Sequence, residues 1–128
     1  HTFRYAYYPH RGNEKHALVE QKAIAFNILP VLTNGHNAAA LPESFLQTDC
    51  TNVEITAVKK AEDSDRLVVR MYQTDGTESI CCVTLPARVK KVSFCDLMER
   101  EAEEVPVENG AVVLKFKPFE IHTILVEM

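Results

Sequence analysis

From Val53 onward the chain is a succession of short runs, each stopped by a turn signal after about ten residues, and this rhythm restricts the folds open to it more than any other feature. In "RLVVRMYQ", Leu67, Val69 and Met71 alternate with Val68, Arg70 and Tyr72, the period-two pattern of a strand with one buried face. "VEITAVKK" precedes that run across the turn "AEDSD", and "TDGT" follows it with the Asp75-Gly76 pair that favours positive φ in a hairpin. "ESICCVTL" returns until Pro86 stops it, and "RVKKVSFCD" comes next. An irregular or helical "LMERE" leads to a second hairpin signal, Asn109-Gly110, with Val112, Leu114 and Phe116 on one face. "FEIHTILVE" closes the series. Six or seven such strands predict a mainly β protein, an antiparallel β-sandwich. Leu67, Val69, Met71, Val112, Leu114, Phe116, Phe119 and Ile121 are expected to face its core. Arg70 lies among apolar residues and is expected to pair with Glu120 or another carboxylate, because a buried guanidinium requires a partner.

The first fifty residues read differently. In "HTFRYAYYPHRG", Phe3, Tyr5 and Tyr7 alternate with Thr2, Arg4 and Ala6, and Pro9 and Gly12 end the run. This predicts a strand that requires ladder partners, and leaves open whether they lie within the chain. "NEKHALVEQKAIAFN" predicts a helix with Asn13 as N-cap and two apolar faces, a segment wedged between layers, ended by Pro30. Residues 31–52 are irregular, with Asn34-Gly35 and Pro42, and a connection of that length is typical of a linker. "SFLQT" is a candidate short strand at its end. The division expected is therefore 1–50, a strand, helix and linker, and 51–128, the sandwich.

A chain of 128 residues with a net charge of −4 suits one compact domain and no nucleic-acid partner, which would call for a basic face. No apolar run approaches the ~20 residues of a bilayer span, so no membrane role is expected. Cysteines stand at 50, 81, 82 and 95 without a CxxC or Cys/His zinc spacing. Cys81 and Cys82 point to opposite faces if they share a strand. Four free thiols and the lack of any Asn-x-Ser/Thr acceptor favour a reducing, cytoplasmic setting. Histidines 1, 10, 16, 36 and 122 share no ligand spacing, and the carboxylate run "EREAEE" at 99–104 reads as a solvated loop beside a turn. No GxSxG or phosphate-binding glycine loop occurs. On these grounds no catalytic, cofactor-binding or metal residue is assigned.

Several stretches nonetheless resemble one family. "YAYYPHRGN" is similar to the "Y-x-L-Y-P-H-x-G" segment late in family 38 glycoside hydrolases, the class II α-mannosidases, and "AIAFNILP" is similar to the "A-x-x-(L/F)-N-x-P" that follows it there. "VEITAVKKAEDSDRLVVRMYQTDGT" resembles "v-x-x-x-a-v-K-x-a-E-d-s-d-x-l-i-v-R-x-y-E-x-x-G", a specific pattern carried by Lys59, Glu62, Arg70 and Gly76. "DLMERE" and "LKFKPFEIHTILV" match the final strands, where "P-F-E-I-x-T" is typical. Gln73 stands where that pattern has Glu, a departure expected to matter little for folding.

The resemblance implies a parent enzyme that hydrolyses α-mannosidic bonds with retention, using an Asp nucleophile and a zinc held by Asp and His in an N-terminal domain. None of those motifs is in these residues. The chain then corresponds to the end of the central β-domain (1–50) and the terminal β-sandwich (51–128), catalytically inactive alone. Its partner is the remainder of the α-mannosidase, the central β-domain and the catalytic domain, with α-mannoside at the periphery. Two other readings stay open. One is a carbohydrate-binding sandwich that stacks sugars on Tyr5, Tyr7, Tyr8 and Tyr72. The other is a homo-oligomer formed through the orphan first strand.

Overall fold

A computed structural model describes residues 2–31 and 44–128. The chain divides into two compact units, His1–Leu41 and Pro42–Met128. Asn34-Gly35, Pro42, His1 and His36 lie outside the described residues.

Among the described residues of the first unit one α-helix is formed, α1 (Val19–Asn27). It is shorter than the 13–27 span expected, because Leu18 takes a left-handed conformation at φ 51° and separates it from the turn before. Asn13 still caps, but it caps that turn: its Oδ1 accepts the His16 N–H at 3.0 Å. No residue of α1 is buried. Phe3, Tyr5 and Tyr7 sit in a segment without strand pairing, 82, 87 and 90% exposed. Arg4, on the other side of the alternation, donates from Nη2 to the Phe26 carbonyl at 3.4 Å and stacks over the Phe26 ring.

The second unit is an antiparallel sandwich of eight strands. They are β1 (Gln47–Thr48), β2 (Val53–Lys60), β3 (Leu67–Gln73), β4 (Ser79–Thr84), β5 (Lys91–Cys95), β6 (Glu101–Val105), β7 (Ala111–Phe116) and β8 (Ile121–Glu127). One sheet has the order β1-β4-β7 and the other β2-β3-β8-β5-β6. β1 falls inside "SFLQT" and pairs with β4, so the sandwich recruits residues ahead of position 51. The charged run expected as a loop instead forms β6, an edge strand whose Val105 alone is buried and whose exposed positions tolerate glutamates.

The two glycine turns behave differently from hairpins. β3 and β4 lie in opposite sheets, as do β6 and β7. Asp75-Gly76 therefore carries the chain across the sandwich, and Asn109-Gly110 closes only a small bridge between Glu108 and Ala111. Both glycines have positive φ, 72° and 77°, so the local chemistry of the turns was correctly read while their ladders were not.

The core lies between the sheets. Val53, Val69, Met71, Val92, Val105, Ile124 and Val126 come from the larger sheet, and Cys81, Val83, Val112, Leu114 and Phe116 from the smaller. Leu67 packs against it, half-buried. Phe119 and Ile121 do not belong to it: they are 59 and 55% exposed. Phe119 precedes β8 in a left-handed conformation (φ 59°) that turns its ring over Gly76. Ile121 begins β8 opposite Tyr72, on the outward side of the sheet. β8 is central in its sheet and covered on both faces at its middle. Ile124 and Val126 point into the core, while Leu125 joins Val68 and Ala61 in a small outer cluster.

Candidate functional site

Chemistry-bearing side chains gather at four places in the sandwich, and each can be judged by what its groups are free to do.

The first is the carboxylate run. Glu99 meets Lys59 Nζ at 2.7 Å and accepts the Glu62 backbone N–H at 2.8 Å. The Lys59 ammonium is the main cause holding its carboxyl below the usual range. Glu101 takes Lys91 Nζ at 2.6 Å, Arg66 Nη1 at 2.7 Å and the Ser93 hydroxyl at 2.8 Å. Lys91, then Ser93 and Arg66, bring its carboxyl down to about 2. A general acid for glycoside cleavage needs the opposite, a carboxyl kept protonated near neutrality. These glutamates clamp β6 and the loop before it to the sheet.

The second place is a polar hub under the Asp75-Gly76 turn. Gln73 is fully buried. Its Oε1 accepts the N–H groups of Gly76 and Phe119, both at 2.9 Å, and its Nε2 donates to Asp75 Oδ1. Asp75 also accepts from the Thr77 hydroxyl at 2.6 Å, the Thr77 N–H at 3.1 Å and Asn52 Nδ2 at 3.2 Å. The Thr77 hydroxyl is the largest cause of an Asp75 carboxyl held far below the ordinary range. The Phe119 bond ties the crossing turn to the segment that enters β8 and the Asn52 bond ties it to the residue before β2, while the others brace the turn itself. The departure from the family pattern at position 73 is thus a structural centre, contrary to expectation.

Third, His122 on β8 lies against the rings of Phe116 and Phe94, with Nε2 3.0 Å from the Lys115 carbonyl and 3.4 Å from Glu120 Oε2. Glu120 is occupied there and by the Lys117 N–H at 2.6 Å. Arg70 does not reach it: the strand register sets Arg70 opposite Thr123, and its Nε donates to the Thr123 hydroxyl at 3.3 Å. An open depression of about 480 Å³ beside His122 is lined by Phe94, Cys95, Asp96, Leu97, Ile121 and Thr123. No pair of carboxylates faces into it.

The fourth place is the end of β1. Asp49, Cys50 and Cys81 bring one donor atom each to within 4.8 Å of one another. All four cysteines are free thiols. Burial pushes the Cys81 thiol up to about 12 and raises Cys50, while the Cys82 backbone N–H holds Asp49 low. Sequence spacing gave no sign of this group, because Cys50 and Cys81 are neighbours only through strand pairing. Cys81 and Cys82 do part as expected, one buried and one half-exposed. Of the tyrosines considered for stacking, Tyr5, Tyr7 and Tyr8 are exposed in the first unit, and Tyr72 is half-buried on β3.

Residues 52–124 match the family model described as the glycosyl hydrolases family 38 C-terminal beta sandwich domain. The chain belongs to that family. It is 32% identical over 98% of its length to alpha-mannosidase 2C1 of Homo sapiens, and 28% identical over 96% to alpha-mannosidase G of Dictyostelium discoideum. It spans only 13 and 12% of those relatives' lengths. The family 38 match covers β2 through most of β8, including both the polar hub and the glutamate clamps. The zinc that the family implies, held by Asp and His, does not fit the residues here. Among the described residues the group of three metal-capable donors has two sulfurs and no imidazole, unlike the Asp and His set of that zinc. No helix among the described residues is long and apolar enough to cross a membrane.

Proposed function

We propose that this chain is the non-catalytic C-terminal portion of an α-mannosidase and serves as structural support for the rest of that enzyme. The match of its sandwich to the family 38 C-terminal domain, in a chain that spans about an eighth of its relatives, carries the reading. The state of its carboxylates supports it: Glu99 and Glu101 are neutralised in clamps and depressed in pKa, unfit to protonate a leaving group. Residues 1–50 are taken as the end of the central β-domain and 51–128 as the terminal sandwich. The exposed alternation of Phe3, Tyr5 and Tyr7 then forms a strand on the central domain's own sheet, where its N–H and C=O groups find partners. Zinc and the nucleophilic carboxylate belong to the catalytic domain of the parent enzyme. Its free thiols suit a reducing, cytoplasmic compartment.

The test is an assay of the chain alone on a chromogenic α-mannoside, with and without added zinc. No turnover is expected in either case. Restoring the remainder of the enzyme as a separate polypeptide should give an active complex that contains the chain. Hydrolysis by the chain alone would overturn the reading.

A further inference from the structure

The antiparallel register of β1 and β4 continues past the last residue of β1. Gln47 faces Thr84 and Thr48 faces Val83. The Asp49 N–H donates to the Cys82 carbonyl at 3.1 Å, which sets Cys50 across from Cys81. In a regular ladder the Cys82 N–H would go to the Asp49 carbonyl. Here it donates to Asp49 Oδ1 at 2.8 Å instead, and the carboxylate takes the place of a ladder carbonyl. The side chain is thereby fixed at the strand edge, with a carboxylate oxygen and the sulfurs of Cys50 and Cys81 within 4.8 Å of one another. We infer that this cluster binds one soft divalent cation of the Zn²⁺ or Cd²⁺ class, with Cys50 Sγ, Cys81 Sγ and the Asp49 carboxylate as ligands and water in a fourth position.

Two facing cysteines alone would equally suit a disulfide. The carboxylate decides between the two. Thiol–disulfide exchange proceeds through a thiolate, and a fixed negative charge beside both sulfurs opposes thiolate formation. A cation reverses that effect, because the same charge then becomes a ligand. The chemistry of the donor set agrees: two sulfurs and one carboxylate oxygen suit a tetrahedral zinc with an open position, at metal distances of about 2.3 Å to sulfur and about 2.0–2.2 Å to oxygen. On binding, each thiol loses its proton to solvent as its sulfur–metal bond forms, and the cation gives up waters. The position is reachable, since Asp49 is exposed and Cys50 half-exposed, while buried Cys81 anchors the site to the core.

The experiment uses the full chain, reduced and stripped of metal, titrated with Cd²⁺ while thiolate-to-metal ultraviolet absorption is followed, and then with Zn²⁺ in competition. One equivalent should bind, and C50S and D49N should each weaken Zn²⁺ by at least about tenfold, the lower end of the loss seen even for outer partners of a metal. C82S, on the opposite face of β4, should bind as the wild type does. Zn²⁺ should also slow alkylation of Cys50, a readout independent of whether any variant is less stable. Lack of saturable absorption, wild-type affinity in C50S, or an alkylation rate unmoved by Zn²⁺ would each overturn the site.

Discussion

At residue scale the most consequential side chain is one that composition makes look ordinary. Gln73 uses both ends of its amide: the oxygen takes two backbone N–H groups, and the nitrogen satisfies Asp75. A glutamate can accept the same two bonds but cannot donate to Asp75 at neutral pH, and it would set a second carboxylate against the first. Q73E is therefore expected to destabilise the chain by about 1–3 kcal/mol at pH 7. Q73E/D75N should recover most of that loss, because the amide donor then sits on the other partner. The sign with pH follows. The introduced carboxyl has its folded pKa raised, so its penalty shrinks as pH falls towards that value and grows above it. Urea unfolding of the four members of the cycle at pH 7 and at about pH 5 measures both effects. Gly76 is bound into the same turn. At φ 72° an added Cβ would lie 2.6 Å from the Phe119 ring, and G76A should cost more than the ~1 kcal/mol of an ordinary strained glycine site. Position 73 was legible as a departure from the family pattern, but its importance was not. The hub closes between residues 46 apart in sequence.

At the scale of elements, β6 shows how charge can hold an edge. It contributes one buried side chain, Val105, so its docking depends on Glu101, which gathers Lys91, Arg66 and Ser93 from its surroundings. Its carboxyl is depressed from 4.5 to about 2 by those partners. A depressed carboxyl stabilises the fold at every pH above the unfolded value, and that contribution is lost as pH falls from about 4.5 towards about 2. E101Q should therefore melt below the wild type at neutral pH, with the two curves converging in acid. A gap that persists at about pH 2 would show that Glu101 acts through packing instead. The strands themselves were unevenly legible. β3 announced itself by alternation, with Val69 and Met71 buried as read. The end of β8 did not, because the inward positions there fall to His122, Ile124 and Val126, and Ile121 lies on the outward face opposite Tyr72. Sheet membership was illegible for a related reason: Asp75-Gly76 and Asn109-Gly110 specify a tight reversal, and local sequence does not say whether the chain re-enters its own sheet or crosses to the other.

For the molecule as a whole, burial is distributed unequally between the two units. Among the described residues every buried core side chain comes from Val53 or later, whereas α1 buries none and Phe3, Tyr5 and Tyr7 stand in solvent. A sandwich with its own core should fold cooperatively from Pro42 onward, with an unfolding midpoint close to that of the full chain. The aromatic segment answers to a different demand. The three exposed aromatics that alternate along this segment represent unburied apolar area, and burying each would be worth about 1.5–3 kcal/mol. If their place is on the sheet of the central β-domain, then F3S/Y5S/Y7S should leave the melting temperature of the isolated chain unchanged. The same substitutions should weaken association with the remainder of the enzyme by well over tenfold, since each 1.4 kcal/mol is about a factor of ten. Melting by circular dichroism gives the first quantity and titration of the two polypeptides gives the second. Equal affinity with an unchanged fold would detach this segment from the scaffold role and leave the sandwich to supply the contact.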